Sequence, residues 1–386
     1  MMLEQKRKVC VVVASRANYG RIKSVLKAIQ DHPDLELQLI VGASALLYRF
    51  GNVIDVIRDD GFEVNARVYS IVEGENLTTM AKSTGLGIIE LATLFENLSP
   101  DIVLTVADRF ETMATAIAAS YMNIPVAHTQ GGEVTGSIDE SVRHAITKLS
   151  HIHFVATNES RERVIKMGED PERVFNTGCP SIDAIADIDL SMTSDFFDAY
   201  GGVGKHIDSS KPYIVVLQHP VTTEFGSGLN QINETLDAVK QLGMQTVWLW
   251  PNVDAGSDDI SKGLRMFREQ HRDLPLHFFR NFSVEDYARL INNCACLIGN
   301  SSSGIREGAF LGVPVVNIGS RQNSRERGDN VVDVPYFRNH IHDAAIHQIR
   351  HGRYMSQPLF GRGDSGQTIA KLLATQEVSI QKSITY

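Results

Sequence analysis

Acidic and amide side chains follow two apolar stretches of strand length in the first half of the sequence. Asp108 and Arg109 come directly after the first stretch, and Gln130, Glu133 and Asp139 follow the second. If the two strands are neighbours, roughly 4.8 Å apart, their end loops lie side by side. Paired carboxylates in one pocket can supply an acid and a base with different pKa values. A plainer role stays open for both aspartates, because each precedes a predicted helix that it could cap.

A second set of residues is of the types that bind an anion such as a phosphate. Two arginines flank a predicted helix start in "ASRANYGR", and the serines of "GNSSSGIREG" lie where a strand turns into a helix, so that hydroxyls and free N–H groups point together. A glutamate one helical turn later could accept hydrogen bonds from a ribose diol. The arginines could equally be solvated residues at a helix start. The set comprises Arg16, Arg21, Ser301, Ser302, Ser303, Glu307 and Arg321.

Two further strand ends carry His219 and Asn252, although a lone histidine at a strand end is more often structural than catalytic. His151 and His153 would point to one face of their strand, but no third ligand accompanies them, so the sequence indicates no metal site. The first strand is not followed by G-x-G-x-x-G, and G-x-x-x-x-G-K-[ST] is missing. Neither a dinucleotide cofactor nor P-loop chemistry is therefore indicated.

The elements that must position these residues alternate along the chain. Short stretches that are apolar on both faces alternate with amphipathic helical patterns, which is typical of a parallel sheet with right-handed crossover helices. Ligands bind outside the carboxyl ends of such strands, so a two-domain version should hold its site in the cleft between the domains. We predict an α/β fold of two Rossmann-like, doubly wound parallel-sheet domains. Their expected bounds are 1–190 for the first domain, 191–211 for a linker region, 212–360 for the second domain and 361–386 for a C-terminal helix or tail that could pack back on the first domain.

Composition and charge exclude several classes of protein. The net charge of −9 argues against a nucleic-acid partner, because polyphosphate backbones are bound through clustered positive charge. The longest apolar runs have strand length and no signal segment opens the chain, so we expect a cytoplasmic protein without a membrane span. The four cysteines are too few and too oddly spaced for a disulfide framework, and ordinary buried thiols are expected.

Many blocks of the sequence resemble the hydrolysing UDP-N-acetylglucosamine 2-epimerases of sialic acid biosynthesis. The resemblance runs from the first strand to about residue 335 and implies the GT-B fold, a pair of Rossmann-like domains, with no redox cofactor. Since all the blocks occur in one order, the resemblance is specific. The blocks are "SRANYG", "DRFE", "GGEVTGSIDES.RHAITKL" with its arginine at Arg143, "GCPSID", "QHPVTTE", "PN.DAGS", "GNSS.G.RE" and "GSRQ..RE.G.N".

The resemblance also implies an activity, the cleavage of UDP-N-acetylglucosamine to UDP and N-acetylmannosamine. The C1–O bond to the diphosphate breaks and the C2 proton leaves, and water then attacks the resulting 2-acetamidoglucal with inversion at C2. Asp108 and Asp139 would occupy catalytic positions, with Arg109 beside them. A homo-oligomer, either a dimer or a tetramer, is implied as well. The implied substrate-binding residues are Arg16, Ala17, Arg21, Arg109, Arg143, His219, Asn252, Ser301, Ser302, Glu307 and Arg321.

Gln130 is the main departure from the family pattern. Many members read "HIEGGE" where this chain reads "HTQGGE", so Gln130 occupies the position of a catalytic glutamate. A carboxamide cannot carry a proton, so acid and base duties would pass to Asp108, Glu133, Asp139 or His219. Otherwise the substrate is a different nucleotide sugar, such as UDP-N,N'-diacetylbacillosamine of the legionaminic acid route. A non-hydrolysing UDP-sugar 2-epimerase, a GT-B glycosyltransferase and an inactive nucleotide-sugar-binding protein stay open as alternatives.

Overall fold

The computed structural model describes residues 6–48, 52–74, 77–135, 138–224, 226–251 and 256–386. These residues form two compact units. The first unit comprises the described residues of Met1–Glu133, Asp139–Ala186 and Phe360–Tyr386, and the second comprises those of Val134–Ile138 and Asp187–Leu359.

The first unit is built on a parallel sheet. Its described strands are β1 Arg7–Val13, β2 Leu35–Gly42, β3 Ala66–Val68, β4 Ile102–Val106, β5 Val126–Thr129, β6 Ile152–Val155 and β7 Val174–Asn176. Their order is β3-β2-β1-β4-β5-β6-β7. Alternate residues of β1 enter two different core clusters, with Val9, Val11 and Val13 in one and Cys10 and Val12 in the other. Both faces are therefore buried, which is why this strand is apolar throughout.

Helices cover both faces of this sheet. They are α1 Arg16–Gly20, α2 Lys23–Asp31, α3 Val53–Asp59, α4 Leu77–Leu98, α5 Phe110–Tyr121, α6 Asp139–Leu149, α7 Asn158–Lys166 and α8 Pro180–Ala186. Right-handed crossovers place the helices that follow β1 and β2 on one face and those that follow β3, β4 and β5 on the other. In agreement, α2 contacts α8, whereas α5 contacts both α4 and α6. On α2 the apolar residues Val25, Leu26 and Ile29 are buried on one face.

The second unit has the same kind of architecture. Its described strands are β8 Gly202–Gly204, β9 Tyr213–Leu217, β10 Gln245–Leu249, β11 Leu276–Phe279, β12 Cys296–Gly299, β13 Val315–Ile318 and β14 Val331–Val334. Their order is β14-β13-β12-β9-β10-β11-β8, and β8 alone among them pairs antiparallel, with β11. The described helices are α9 Gly228–Leu242, α10 Ser257–Gln270, α11 Val284–Asn293, α12 Ser302–Ile305, α13 Glu307–Leu311 and α14 Arg338–His351. The predicted fold class, two doubly wound α/β domains, is confirmed.

Residues 191–211, where the sequence predicts a linker, are part of the second unit. Phe196 and Phe197 are buried in a core cluster that includes Tyr213 and Phe279. The same segment supplies β8 to the edge of the sheet. Its sequence shows no strand pattern because β8 is a glycine-rich strand whose three residues are all exposed.

The C-terminal segment packs on the first unit. Its helix, α15 Ser365–Thr375, lies against α2. The N–H groups of Ser365 and Gly366 donate to the carboxylate of Asp183 at 3.1 and 2.7 Å. The Asp183 side chain, distant in sequence, thus accepts hydrogen bonds from free N–H groups at the N-terminus of the last helix.

A buried charge cluster fastens the residues that follow α15. Glu169 accepts hydrogen bonds from Lys148 and Lys382 at 2.6 and 2.5 Å, and its other close partner is the buried His153. Burial alone would raise the pKa of Glu169, but these partners together lower it to about 2. The Nε2 of His153 therefore lies against the Glu169 carboxylate. Among the described residues, no group of three His, Cys, Asp or Glu side chains could hold a metal ion.

Candidate functional site

The strand order of the first unit brings the loops after β1 and β4 to the same point, where the direction of winding reverses. Open α/β sheets bind ligands at this point. Asn18 ties the two loops together, because its Nδ2 donates to the Val106 carbonyl at 3.5 Å and its Oδ1 accepts from the Ala14 N–H at 3.4 Å. Sequence reasoning did not select Asn18, a polar residue of the short helix α1 that follows the first strand.

The first predicted anion-binding residues lie on the short helix that leaves β1. Arg16 and Ala17 are its first two residues, Arg21 follows its last residue, and all three are half-buried. Ser15 caps this helix by accepting from the Asn18 N–H at 3.2 Å. Their contact with a diphosphate stays a prediction.

Asp108 and Glu133 are linked by Arg143, one turn into α6. Arg143 forms an ion pair with the Asp108 carboxylate and donates to the Glu133 carbonyl oxygen at 2.6 Å. The arginine side chain is 1% exposed and the Asp108 side chain 11%, so the pair is almost fully withdrawn from water. Arg143 therefore holds the loop after β4 and the loop after β5 in one arrangement.

Asp139 lies in the first turn of α6, on the same helix as Arg143, and is half-buried. The loop before it depends on Gly132, which has a φ of +73°. A Cβ at Gly132 would overlap the carbonyl oxygen of Ser160. The second glycine of "GGE" therefore allows the loop to pass close to α7.

Gln130 contacts the "GCPS" segment that follows β7. It follows β5 with a φ of +61°, a left-handed conformation that costs a non-glycine residue about 1–3 kcal/mol. Its side-chain Nε2 donates to the thiol of Cys179 at 3.1 Å, and that thiol contacts the Ser181 hydroxyl at 3.1 Å. The Gln130 Oε1 is buried and accepts no hydrogen bond from the described residues. The predicted shared pocket is thus assembled in part: Asp108 and Glu133 meet through Arg143, and Gln130 faces the "GCPS" segment.

His128 contacts the backbone of the loop that carries Asp108. It is fully buried at the end of β5, and its Nε2 lies 2.8 Å from the carbonyl oxygen of Ala107, a residue with a φ of +60°. Burial lowers the pKa of His128 to about 3. The ring is therefore neutral and donates from Nε2, which fixes the backbone beside Asp108.

We predict that His128 makes the fold sensitive to acid. Below the ordinary histidine pKa of about 6.5, His128 binds a proton in the unfolded chain. In the folded chain the same ring stays neutral down to about pH 3. The free energy of unfolding should therefore fall by about 1.4 kcal/mol for each pH unit between these limits because of His128. Urea unfolding from pH 7 to pH 4.5 should show a shallower decline for His128→Gln than for the wild type. Equal slopes would contradict the assignment.

The second unit has a corresponding switch point, between β9 and β12. Asn300, directly after β12, binds both backbone groups of His219, because its Oδ1 accepts from the His219 N–H at 2.7 Å and its Nδ2 donates to the His219 carbonyl at 2.8 Å. Gly299 permits this approach, since its φ is +141° and a Cβ would overlap the Leu217 carbonyl. His219 is thus fixed through its main chain, by an asparagine that sequence reasoning did not select.

The serine cluster lies at the same edge of the second sheet. Ser301 caps α12, and its Oγ lies 2.9 Å from the Ser303 Oγ. The Ser303 hydroxyl also lies 2.6 Å from the hydroxyl of Tyr287, and Ser301, Ser302 and Ser303 are all half-buried at the helix start. Binding of a phosphate by these serines stays a prediction.

Glu307 and Arg321 complete this group. Glu307 begins α13, and its Oε2 is buried and accepts no hydrogen bond from the described residues. Arg321 donates to the Asn300 carbonyl at 3.0 Å, and Gln322 donates to the same oxygen at 2.9 Å. His219, Asn300, Ser301 and Arg321 therefore form one connected group, whereas the predicted Asn252 lies outside the described residues.

Comparisons with known proteins identify the family of this chain. The profile of the family described as UDP-N-acetylglucosamine 2-epimerase matches residues 27–374. The chain is 35% identical to the UDP-N,N'-diacetylbacillosamine 2-epimerase (hydrolyzing) of Legionella pneumophila, with 96% of each chain covered. It is 29% identical to the UDP-N-acetylglucosamine 2-epimerase of Neisseria meningitidis, with 98% of each chain covered.

Solved structures show the same fold at low identity. The structure of UDP-GlcNAc 2-epimerase from Neisseria meningitidis bound to UDP-GlcNAc has a TM-score of 0.79 at 18% identity, over 96% of this chain and 100% of the other. The enzyme from Methanocaldococcus jannaschii in complex with UDP-GlcNAc and UDP also has a TM-score of 0.79, at 14% identity, over 96% and 100%. The resemblance inferred from the sequence blocks is confirmed, and the chain belongs to the UDP-N-acetylglucosamine 2-epimerase family.

Proposed function

We propose that this protein is a hydrolysing 2-epimerase that cleaves a UDP-linked N-acetylated amino sugar to UDP and the free manno-configured sugar. The observation that carries the proposal is the buried Asp108–Arg143 pair, with the half-buried Asp139 one helical turn before Arg143, at the switch point of a family fold. The hydrolysing direction is supported by relatives of that activity, including one that is 35% identical.

The nucleotide would be held by the residues of the second unit. Glu307 Oε2 has no donor among the described residues, and a ribose hydroxyl would satisfy it. Ser301, Ser302 and Arg321 offer hydroxyls, helix N–H groups and positive charge for a diphosphate. Negative charge develops on UDP as it departs, and such donors stabilise it.

The sugar chemistry would be carried by the first unit. A base removes the C2 proton while the C1–O bond breaks and its electron pair leaves on UDP, so that a C1=C2 double bond forms. Water then adds its hydroxyl to C1, and C2 receives a proton on the opposite face. Asp108 and Asp139 are the candidates for proton transfer, and the guanidinium of Arg143 pairs with the Asp108 carboxylate.

Two sugars are the candidate substrates, UDP-N-acetylglucosamine and UDP-N,N'-diacetylbacillosamine. The first is supported by the Neisseria meningitidis relative and the second by the relatives from Legionella pneumophila and Campylobacter jejuni. Either product would be a precursor of a sialic or legionaminic acid.

Because the substrate is a nucleotide sugar, we propose a cytoplasmic location, which fluorescence of a tagged chain in the native cell would test. The described helices include none that is both long and apolar enough to cross a membrane.

Turnover in deuterated water tests the proposed reaction. We expect UDP to be released and one deuterium to be found at C2 of the free sugar. Free sugar that carries no deuterium at C2 would overturn the elimination mechanism. A UDP-sugar product epimerised at C2, without free sugar, would instead indicate a non-hydrolysing epimerase, and tight UDP binding without turnover would indicate an inactive binding protein.

We also propose that the protein is a homo-oligomer. Large apolar side chains on α4 and at the end of α5 are exposed: Leu77 by 71%, Ile89 by 66% and Tyr121 by 87%. Exposure of large apolar side chains on these two helices supports a subunit interface there. Light scattering should give at least twice the mass of 42.7 kDa, and a monomer at micromolar concentration would contradict the proposal.

A further inference from the structure

Three hydroxyl groups of the second unit lie in hydrogen-bond contact, one after the other. The Tyr287 hydroxyl lies 2.6 Å from the Ser303 Oγ, and that oxygen lies 2.9 Å from the Ser301 Oγ. Tyr287 belongs to α11, whereas the two serines lie at the start of α12. A tyrosine of a neighbouring helix thus reaches, through Ser303, one of the serines that we propose to bind the diphosphate.

The Tyr287 hydroxyl is held in place as a donor. The side chain packs against the core cluster that includes Leu290 and Val315. Burial raises the pKa of the Tyr287 hydroxyl well above its ordinary value of about 10, and the nearby Glu307 carboxylate also acts to raise it. The hydroxyl therefore keeps its proton at neutral pH and can donate it in a hydrogen bond.

The number of hydrogens decides which group donates when Ser301 binds a ligand. A serine hydroxyl has one hydrogen and two lone pairs. The Ser301 Oγ already accepts the Ser303 N–H at 3.3 Å. If the Ser301 hydrogen points to a phosphate oxygen, the Ser303 hydroxyl must donate to Ser301, and Tyr287 must donate to Ser303. All three hydroxyl hydrogens then have an acceptor.

We propose that Tyr287 positions the Ser301 hydroxyl to donate to the diphosphate of the nucleotide, an inference that rests on the proposed function. Hydrogen bonds that run in one direction polarise one another, so the tyrosine strengthens the bond from Ser301 to the phosphate. Without the phenol hydroxyl, Ser303 loses its donor, and Ser301 can turn its hydrogen to Ser303 instead. Tyr287 is thus a positioning residue, since it acts through the two serines.

Tyr287→Phe tests the proposal, because it removes the hydroxyl and keeps the ring. The measured quantities are the Kd of UDP, by titration calorimetry, and the Kd of uridine, by saturation-transfer NMR. We expect the Kd of UDP to rise about five- to tenfold, as for one lost hydrogen bond to a charged group. The Kd of uridine should stay the same, because uridine has the ribose but no phosphate. A general loosening of the site would weaken both ligands alike.

Tyr213→Phe is the matched control. Tyr213 lies in the same core cluster, and its hydroxyl donates to the Leu290 carbonyl of α11 at 2.8 Å. This change also removes one tyrosine hydroxyl bound to α11 or its neighbours, and it should leave the Kd of both ligands unchanged.

Ser303→Ala interrupts the same series of hydroxyls without altering the tyrosine. It should weaken UDP and spare uridine, as Tyr287→Phe does. The double variant Tyr287→Phe with Ser303→Ala should bind UDP no more weakly than Ser303→Ala alone, because the tyrosine acts only through Ser303. Losses that add in the double variant would show that the two residues act separately, which would overturn the proposal.

The remaining outcomes separate the role of Tyr287 from the proposed function. If the wild type binds UDP and Tyr287→Phe leaves its Kd unchanged, or weakens uridine by the same factor, the positioning role is wrong and the proposed function stands. If the wild type binds no UDP, the proposed function fails and the role of Tyr287 fails with it.

Discussion

Replacing Arg143 by methionine is expected to lower the free energy of unfolding by about 3–5 kcal/mol and kcat by at least about 100-fold. The change leaves the Asp108 carboxylate, 11% exposed, without its counter-charge and the Glu133 carbonyl without its donor. Removing one partner of a buried ion pair has this cost because the other charge stays buried. Urea unfolding and steady-state kinetics measure the two effects.

Two further variants separate stability from catalysis. Arg161→Met is the matched control, because Arg161 also donates to main-chain carbonyls of the first unit, at 3.0 Å to Val174 and 3.2 Å to Pro171. Its loss should cost about 1 kcal/mol and leave kcat unchanged. Combining Arg143→Met with Asp108→Asn should restore much of the stability, because no charge is left unpaired, but not the activity. An active double variant would show that the pair has only a structural role.

Helices and strands with a clear apolar period could be predicted from the sequence, and those without one could not. The apolar run of residues 8–14 indicates a strand and corresponds to Arg7–Val13, and the amphipathic pattern of residues 283–293 indicates a helix and corresponds to Val284–Asn293. In contrast, Gly202–Gly204 joins the sheet through main-chain pairing alone, and its glycines carry no pattern. Hydrophobic periodicity reports burial of side chains, so an exposed edge strand is invisible to it.

The candidate site could be predicted as a set of strand ends but not as a set of contacts. Alternating elements indicate which loops share an edge, and β4 and β5 are indeed neighbours. The pairing of Asp108 with Arg143 depends on how α6 turns after its loop, which spacing does not reveal. Likewise, the direction of the Gln130 side chain follows from its φ of +61°. A glutamine gives no sign in the sequence that its backbone is left-handed.

Gln130→Glu, which restores the family residue, is expected to damage this protein rather than improve it. Gln130 is 1% exposed, and its amide donates to Cys179, so a carboxylate there would be buried without a counter-charge. Burial would raise the pKa of the new carboxyl group well above the ordinary value of about 4.3. Because the folded variant then keeps a proton that the unfolded chain releases, its stability should fall by about 1.4 kcal/mol for each pH unit above about 4.3, up to the raised pKa.

Gln38→Glu is the control that separates burial from function. Gln38 is also a buried glutamine of the first unit, 4% exposed, with its Nε2 donating to the Leu98 carbonyl at 2.9 Å and its Oε1 without a partner among the described residues. Both variants should lose stability between pH 5 and pH 8 in urea unfolding. Only Gln130→Glu should lose turnover, by about tenfold or more per folded molecule, because the amide that orients the loop after β5 is gone. A gain in turnover would instead mean that the wild type lacks a catalytic carboxylate, which would favour the inactive binding protein over the epimerase.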